Sequence, residues 1–198
     1  MVSDAVSREC VVIDCGAFFP EERKAICQYI TGEGLKLSHV LLTHGHFDHV
    51  FGVDTLYKEF GLSPCLHSSD VPLYEHFDQQ TTNFLGVSLH QDMPAVGSPL
   101  VEGKTVSFGQ HIIDIIHTPG HSPGSVVLYI KNEDVAFTGD TLFRMSIGRT
   151  DLEGGSWSEL ESSLKRLGTL LPSNVKLYCG HGPASIMADE LRFNPYLR

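Results

Sequence analysis

Apolar residues recur along this chain in short runs, separated by turns that carry glycine or proline, and their spacing alternates between two periods. Residues 10–14 (Cys-Val-Val-Ile-Asp) are a β-branched run closed by Cys15-Gly16, the pattern of a buried strand and its turn. Pro20 can open a helix at its first position, with Glu21 and Glu22 at the positive end of the helix dipole. Ala25, Ile26, Tyr29 and Ile30 keep helical spacing, and Gly32 and Gly34 stop it. Residues 40–43 predict a second strand, and 48–60 a helix with Val50, Val53, Leu56, Tyr57 and Phe60 on one side. A short strand over 65–67 and a helix over 70–77 capped by Asp70 follow. The stretch 79–99, with Gly86, Pro94, Gly97 and Pro99, reads as loop.

The second half changes character. Residues 104–108, 111–117, 125–130 and 135–138 predict four strands, with Gly109-Gln110 and Asn132-Glu133 as hairpin-like connections. Ser156, with Glu159 three residues on, predicts a capped helix to about residue 170. A last strand over 175–179 and a short helix over 186–192 complete the pattern. The order βαβα, meander, αβα predicts a mixed sheet or pair of sheets covered by helices, in one domain spanning 1–198.

Composition narrows the class. With 198 residues, 41% apolar content and mean hydropathy of -0.02, the chain reads as an ordinary soluble globule. A net charge of -10 argues against a nucleic-acid partner, though a small anionic ligand is compatible with a local patch. There is no N-terminal apolar segment of the secretory kind and no run approaching ~18 apolar residues, so no membrane partner is expected. Five cysteines without C-x-x-C spacing predict neither a disulfide framework nor a zinc knuckle, and point to a reducing, cytoplasmic setting.

The chemistry is concentrated in His44-Gly45-His46-Phe47-Asp48-His49, which places four metal-ligand side chains within six residues at the end of a strand. Three imidazoles and a carboxylate at that density are costly to bury unless a cation holds them. His121, Asp140 and His181 follow, each in a glycine-bearing turn after an apolar run. His44, His46 and His121 form an all-imidazole donor set suited to zinc or another borderline divalent ion. Asp48, His49 and His181 form a second set, with Asp140 placed to bridge. Two divalent ions per chain are expected, zinc first and iron or manganese as alternatives. Held ~3.5–4 Å apart, they would polarise an electrophile and activate water at neutral pH.

These residues resemble the metallo-β-lactamase superfamily: Thr43-His-Gly-His-Phe-Asp-His49, then His121, Asp140 and His181 at intervals of 72, 19 and 41 residues. More narrowly, Gly139-Asp-Thr-Leu-Phe-Arg-Met-Ser-Ile-Gly-Arg-Thr-Asp151 and Cys179-Gly-His-Gly-Pro, with Asn194-Pro195, resemble the short bacterial glyoxalase II-like proteins. The resemblance implies an α/β fold, an αββα sandwich of two mixed sheets flanked by helices. It implies His44, His46 and His121 on one metal, Asp48, His49 and His181 on the other, and Asp140 between them. Against the family pattern, only nine residues precede the first clear strand, and the chain ends soon after His181. Either the start lies inside the family's first sheet, with one or two N-terminal strands truncated, or that sheet is shorter here; the C-terminal glutathione-gripping domain of full-length glyoxalase II is expected to be absent.

Asp14, closing a strand, fits either a turn or a residue orienting a metal histidine, and the family pattern favours the second. Arg149 occupies the position where glyoxalase II sets a lysine against glutathione, with an ion pair to Asp151 as the alternative; Arg144 is a weaker candidate for the same contact. His39, His67, His76, His90, His111 and His117 have no ligand spacing, and Ser122 and Ser125 lack a base partner.

The activity implied is hydrolysis of a small-molecule thioester, S-2-hydroxyacylglutathione or a relative. Asp140 sets the metal pair, and Asp48 accepts a proton as water attacks. A mononuclear iron persulfide dioxygenase is the alternative within the family. A non-catalytic metal-dependent binding module is the alternative of another class.

Overall fold

In the computed structural model, the described residues, 1–197, gather into two compact units: Met1–Pro99 with Phe108–Gln110, and Leu100–Ser107 with the chain from His111 onward. The first holds a four-stranded sheet in the order β1 (Val2–Ser3), β2 (Glu9–Ile13), β3 (Lys36–Leu41), β4 (Pro64–Cys65). β1 pairs antiparallel with β2, while β2, β3 and β4 run parallel. Parallel strands are covered on both faces and so read as unbroken apolar runs. Cys10, Val11, Val12, Val40 and Leu41 are correspondingly buried. Helix α1 (Pro20–Gly32) is the crossover from β2 to β3 and turns Cys27 and Ile30 into the core.

The helix predicted over 48–60 is two helices, α2 (Phe47–Val50) and α3 (Val53–Phe60). Gly52 separates them because its N–H donates to Cys15 O at 2.8 Å rather than continuing the ladder. Two further corrections follow. The predicted helix over 70–77 is a 3₁₀ turn, Ser68–Asp70, leading into α4 (Val71–Glu75), and the Asp70 side chain makes no capping bond. The stretch read as loop contains α5 (Phe77–Leu85), which buries Phe77, Gln80 and Thr81 and is closed by Gly86 at φ 72°. Threonine and asparagine lower its intrinsic helix propensity, and packing of the buried face overrides that.

The second unit is built on a six-stranded sheet. Its order is β12 (Ser185–Ile186), β11 (Lys176–Cys179), β8 (Val135–Gly139), β7 (Val126–Ile130), β6 (His111–His117), β5 (Thr105–Phe108). β6, β7 and β8 are an antiparallel meander, and β11 joins β8 in parallel. A small hairpin, β9 (Leu142–Phe143) with β10 (Ser146–Ile147), follows β8 and was not legible in the sequence. Helix α6 (Trp157–Leu170) starts at Ser156, whose hydroxyl accepts from Glu159 N as its spacing predicts. It buries Leu160, Leu164 and Leu167 with Val127, Leu142 and Leu177. Helix α7 (Met187–Phe193) closes the chain. The architecture is mixed α/β, two mixed sheets flanked by helices. Among the described residues, no helix is long and apolar enough to cross a membrane.

Candidate metal centre

In the first unit, β2 and β3 are parallel neighbours, so their carboxyl ends fall on one edge of the sheet. Asp14 leaves β2 there, and His44 to His49 leave β3. The rings of His44 and His46 lie 4.8 Å apart, and those of His44 and His49 lie 4.1 Å apart. All three histidines are buried; Asp48 is part-exposed, its Oδ2 3.9 Å from His49 Nε2.

Asp14 organises this edge from a left-handed backbone position, φ 49°. Its Oδ1 accepts from Thr43 N at 2.7 Å, and its Oδ2 accepts from the Thr43 hydroxyl at 2.6 Å. The same Oδ2 lies 3.0 Å from His49 Nδ1. A carboxylate can only accept here, so the proton sits on His49 Nδ1 and Nε2 keeps its lone pair. The Thr43 hydroxyl, having given its proton to Asp14, accepts from His44 Nδ1 at 3.0 Å. His44 is thereby fixed in the same tautomer. Although Asp14, His44 and His49 could in principle form a three-ligand group, with ligand atoms within 4.8 Å, both carboxylate oxygens are already committed. Asp14 is thus spent on holding Thr43 and His49.

In the second unit, β6, β8 and β11 all run in one direction, since two antiparallel steps separate β6 from β8 and one parallel step joins β8 to β11. Their carboxyl ends therefore present His121, Asp140 and His181 on a single edge. Asp140 Oδ2 lies 3.6 Å from His121 Nε2 and 3.5 Å from His181 Nε2. Both distances are long for hydrogen bonds. They match the separation of about 3.4 Å between two ligands that share a tetrahedral ion with arms of about 2.1 Å. One carboxylate oxygen thus lies within 3.6 Å of both imidazoles. His121 Nδ1 donates to Arg149 O at 2.8 Å, so its Nε2 also keeps the lone pair. His121 is nearly enclosed, with 4% of its side chain exposed, whereas His181 is 56% exposed. Gly148 is required beside them, because a Cβ there would lie 1.8 Å from Asp140 O. The donor chemistry and these distances fit divalent cations.

The remaining candidates fall outside such clusters. Arg149 points its guanidinium at Asp151, with Nε and Nη2 donating to the two carboxylate oxygens at 2.6 and 2.7 Å. That pairing holds the Asp151 carboxyl at about 2 and raises Arg149 further. Among the described residues, Arg144 has no carboxylate partner of this kind. Ser122 and Ser125 share a 2.7 Å hydroxyl bond within their own turn. All five cysteines are free thiols. Burial raises each of them, Cys15 to about 11.

Two supports were missed in the sequence. Asp70, read as a cap, is fully buried and its Oδ2 accepts from Gly45 N at 2.9 Å, inside the histidine run. Glu190, also fully buried, accepts from Met145 N at 2.9 Å, from Asn194 Nδ2 at 2.7 Å and from the Ser185 hydroxyl. Asn194 also donates to Ser146 O at 3.1 Å, so α7 grips the hairpin that precedes Arg149. The only sequence signal for this grip was Asn194-Pro195.

The sequence profile described as the metallo-beta-lactamase superfamily matches residues 5–181. A probable metallo-hydrolase YqgX of Bacillus subtilis is 34% identical over 199 residues, covering 96% of this chain and 87% of the relative. The hydroxyacylglutathione hydrolase GloC of Haemophilus influenzae is 33% identical over 193 residues, covering 96% and 88%. Among solved structures, TTHA1623 in a di-iron-bound form has a TM-score of 0.82 and 40% identity, covering 93% of this chain and 88% of that one. With the profile spanning most of the sequence and the fold shared throughout, the chain belongs to the metallo-β-lactamase superfamily.

Proposed function

We propose that this protein is a binuclear metal-dependent thioester hydrolase of the glyoxalase II type. His44, His46 and His121 would hold one cation, Asp48, His49 and His181 the other, and Asp140 would be shared. The observation that carries the reading is Asp140 Oδ2, set 3.5–3.6 Å from the Nε2 atoms of His121 and His181. The fixed tautomers of His44, His49 and His121 support it, as does the likeness to a relative named in a di-iron form. When bound, such a metal pair lowers the pKa of water and polarises a carbonyl.

The chain's own residues supply the rest. Asp48, part-exposed beside His49, accepts the proton released as water adds to the thioester carbonyl. A thiol with pKa ~8.5 leaves as thiolate without a strong general acid, and the buried cysteines are not needed as nucleophiles. The substrate class is S-2-hydroxyacylglutathione or a related thioester such as S-lactoylglutathione. Likeness to GloC supports that choice. The free thiols accord with a reducing, cytoplasmic setting.

A mononuclear iron persulfide dioxygenase is the second reading, favoured by the 56% exposure of His181, which would make the second cation the looser one. Elemental analysis of protein expressed with zinc, iron and manganese, joined to thioester-hydrolysis and oxygen-consumption assays, separates the two. About two metals per chain with thioester turnover is the expected result. One iron with oxygen consumption and no thioester turnover supports the dioxygenase instead.

A further inference from the structure

We infer that Gln80, on α5, is a positioning residue for His46; the inference rests on the reading above, in which His46 is a metal ligand. The Gln80 carboxamide brackets His46 on both sides: its Oε1 accepts from Phe47 N at 3.1 Å, and its Nε2 donates to Gly45 O at 3.1 Å. One side chain thus makes the two hydrogen bonds that a neighbouring strand would make with the peptides flanking a residue. The second Nε2 proton goes to Leu73 O at 2.7 Å, which ties the carboxamide to the end of α4. Gln80 is 6% exposed, so water does not replace these partners cheaply.

The same helix holds the loop a second way. Phe84, one turn after Gln80, stacks on Phe47 with ring centroids 5.3 Å apart and planes at 22°. From the other side, Asp70 Oδ2 accepts Gly45 N. A Cβ on Gly45 would lie 2.9 Å from Asp70 O and 3.1 Å from Tyr74 N, so the backbone of α4 is pressed against the loop. The peptide on each side of His46 is therefore fixed by α4 and α5, elements that carry no ligand themselves. Outer partners of this kind set ligand orientation, and losing one typically weakens metal binding by about 10–100-fold.

Glutamate at position 80 keeps the shape and the acceptor for Phe47 N but loses both donors. Methionine keeps the volume and loses all three bonds. The test is competition for zinc between the full chain and a chromophoric chelator, with Gln80→Glu, Gln80→Met and a core control, Ile30→Val, whose side chain is on α1 and fully buried. Thermal unfolding of the metal-free proteins ranks their stability. The expected result is a dissociation constant at least tenfold weaker for one zinc in both Gln80 variants. Ile30→Val should lower the unfolding temperature and leave zinc affinity within twofold of the parent. Equal affinity in the Gln80 variants and parent overturns the inference alone, as does an equal loss in Ile30→Val. A parent chain that binds no zinc overturns the ligand reading and the inference with it. If one Gln80 variant fails to fold, the other decides.

Discussion

The Asp14 carboxylate meets the His49 imidazole at 3.0 Å, Oδ2 to Nδ1, while its two oxygens also accept the amide and hydroxyl of Thr43. A single acid from the end of β2 thus fixes two imidazole tautomers on the end of β3, His49 directly and His44 through the threonine hydroxyl. Asparagine tolerates the left-handed backbone of position 14, so Asp14→Asn should fold. Its amide cannot accept on both sides, and zinc affinity should drop by about 10–100-fold. Chelator competition reads this directly; unchanged affinity would mean that His49 is oriented by something else.

Asp140→Ala should reduce thioester hydrolysis by several orders of magnitude, because one oxygen serves both histidines of its edge. Cys179→Ser should change little. Cys179 Sγ faces two backbone acceptors, His181 O at 3.0 Å and Pro183 O at 3.5 Å, to either of which a serine hydroxyl can donate, and burial raises the thiol. Turnover and metal content measured on both variants form the check. A dead Cys179→Ser enzyme with full metal content would bring a thiol into the chemistry.

Arg149 is paired with Asp151 through two parallel hydrogen bonds, so an anionic thiol carrier would have to compete with that carboxylate. Arg149→Ala should therefore alter KM for a glutathione thioester less than twofold. Asp151→Ala, which frees the guanidinium, should lower that KM several-fold and leave a neutral thioester unaffected. The folded Asp151 carboxyl titrates at about 2, below its ordinary value of 3.8. The pair is thus fully present above pH 4 and is lost as pH falls towards 2. Steady-state kinetics of both variants on both substrates decide the point; a several-fold KM rise in Arg149→Ala for the anionic substrate alone would show that the pair opens for substrate.

Cys15 should make the fold sensitive to alkali. Its thiol is pushed by burial from about 9 to about 11, so between those values the native chain keeps a proton that the unfolded chain has lost. Stability then falls as pH rises through the window, by up to about 2–3 kcal/mol. Urea unfolding at pH 8 and pH 10.5 should show a steeper loss in the parent than in Cys15→Ala. Equal losses would mean that other groups govern the alkaline limb.

The histidine run was legible because its donors are crowded within six consecutive residues, and because a strand end followed by glycine is a local pattern. His121, Asp140 and His181 were legible by their turns and spacing. The meander and the Ser156 cap were read from period and capping residues, which act over a few positions. Helix α5 was not readable that way: its threonines and asparagine argue for loop, and only burial of Phe77, Gln80 and Thr81 makes it helical.

The sequence by itself determined the donor types, the strand ends that bear them and the class of fold, because side-chain chemistry and short-range periodicity are written in neighbouring residues. Tertiary structure alone decided how those donors are held. Asp14 reaches His49 across 35 positions, Gln80 reaches Phe47 across 33, and Glu190 reaches Met145 across 45. A carboxylate or carboxamide acts over one hydrogen-bond length, so its partner is chosen by strand direction and helix packing, which bring distant segments to the same edge. For the same reason Asp70 left its expected place as a cap: folding set Gly45 N within its reach.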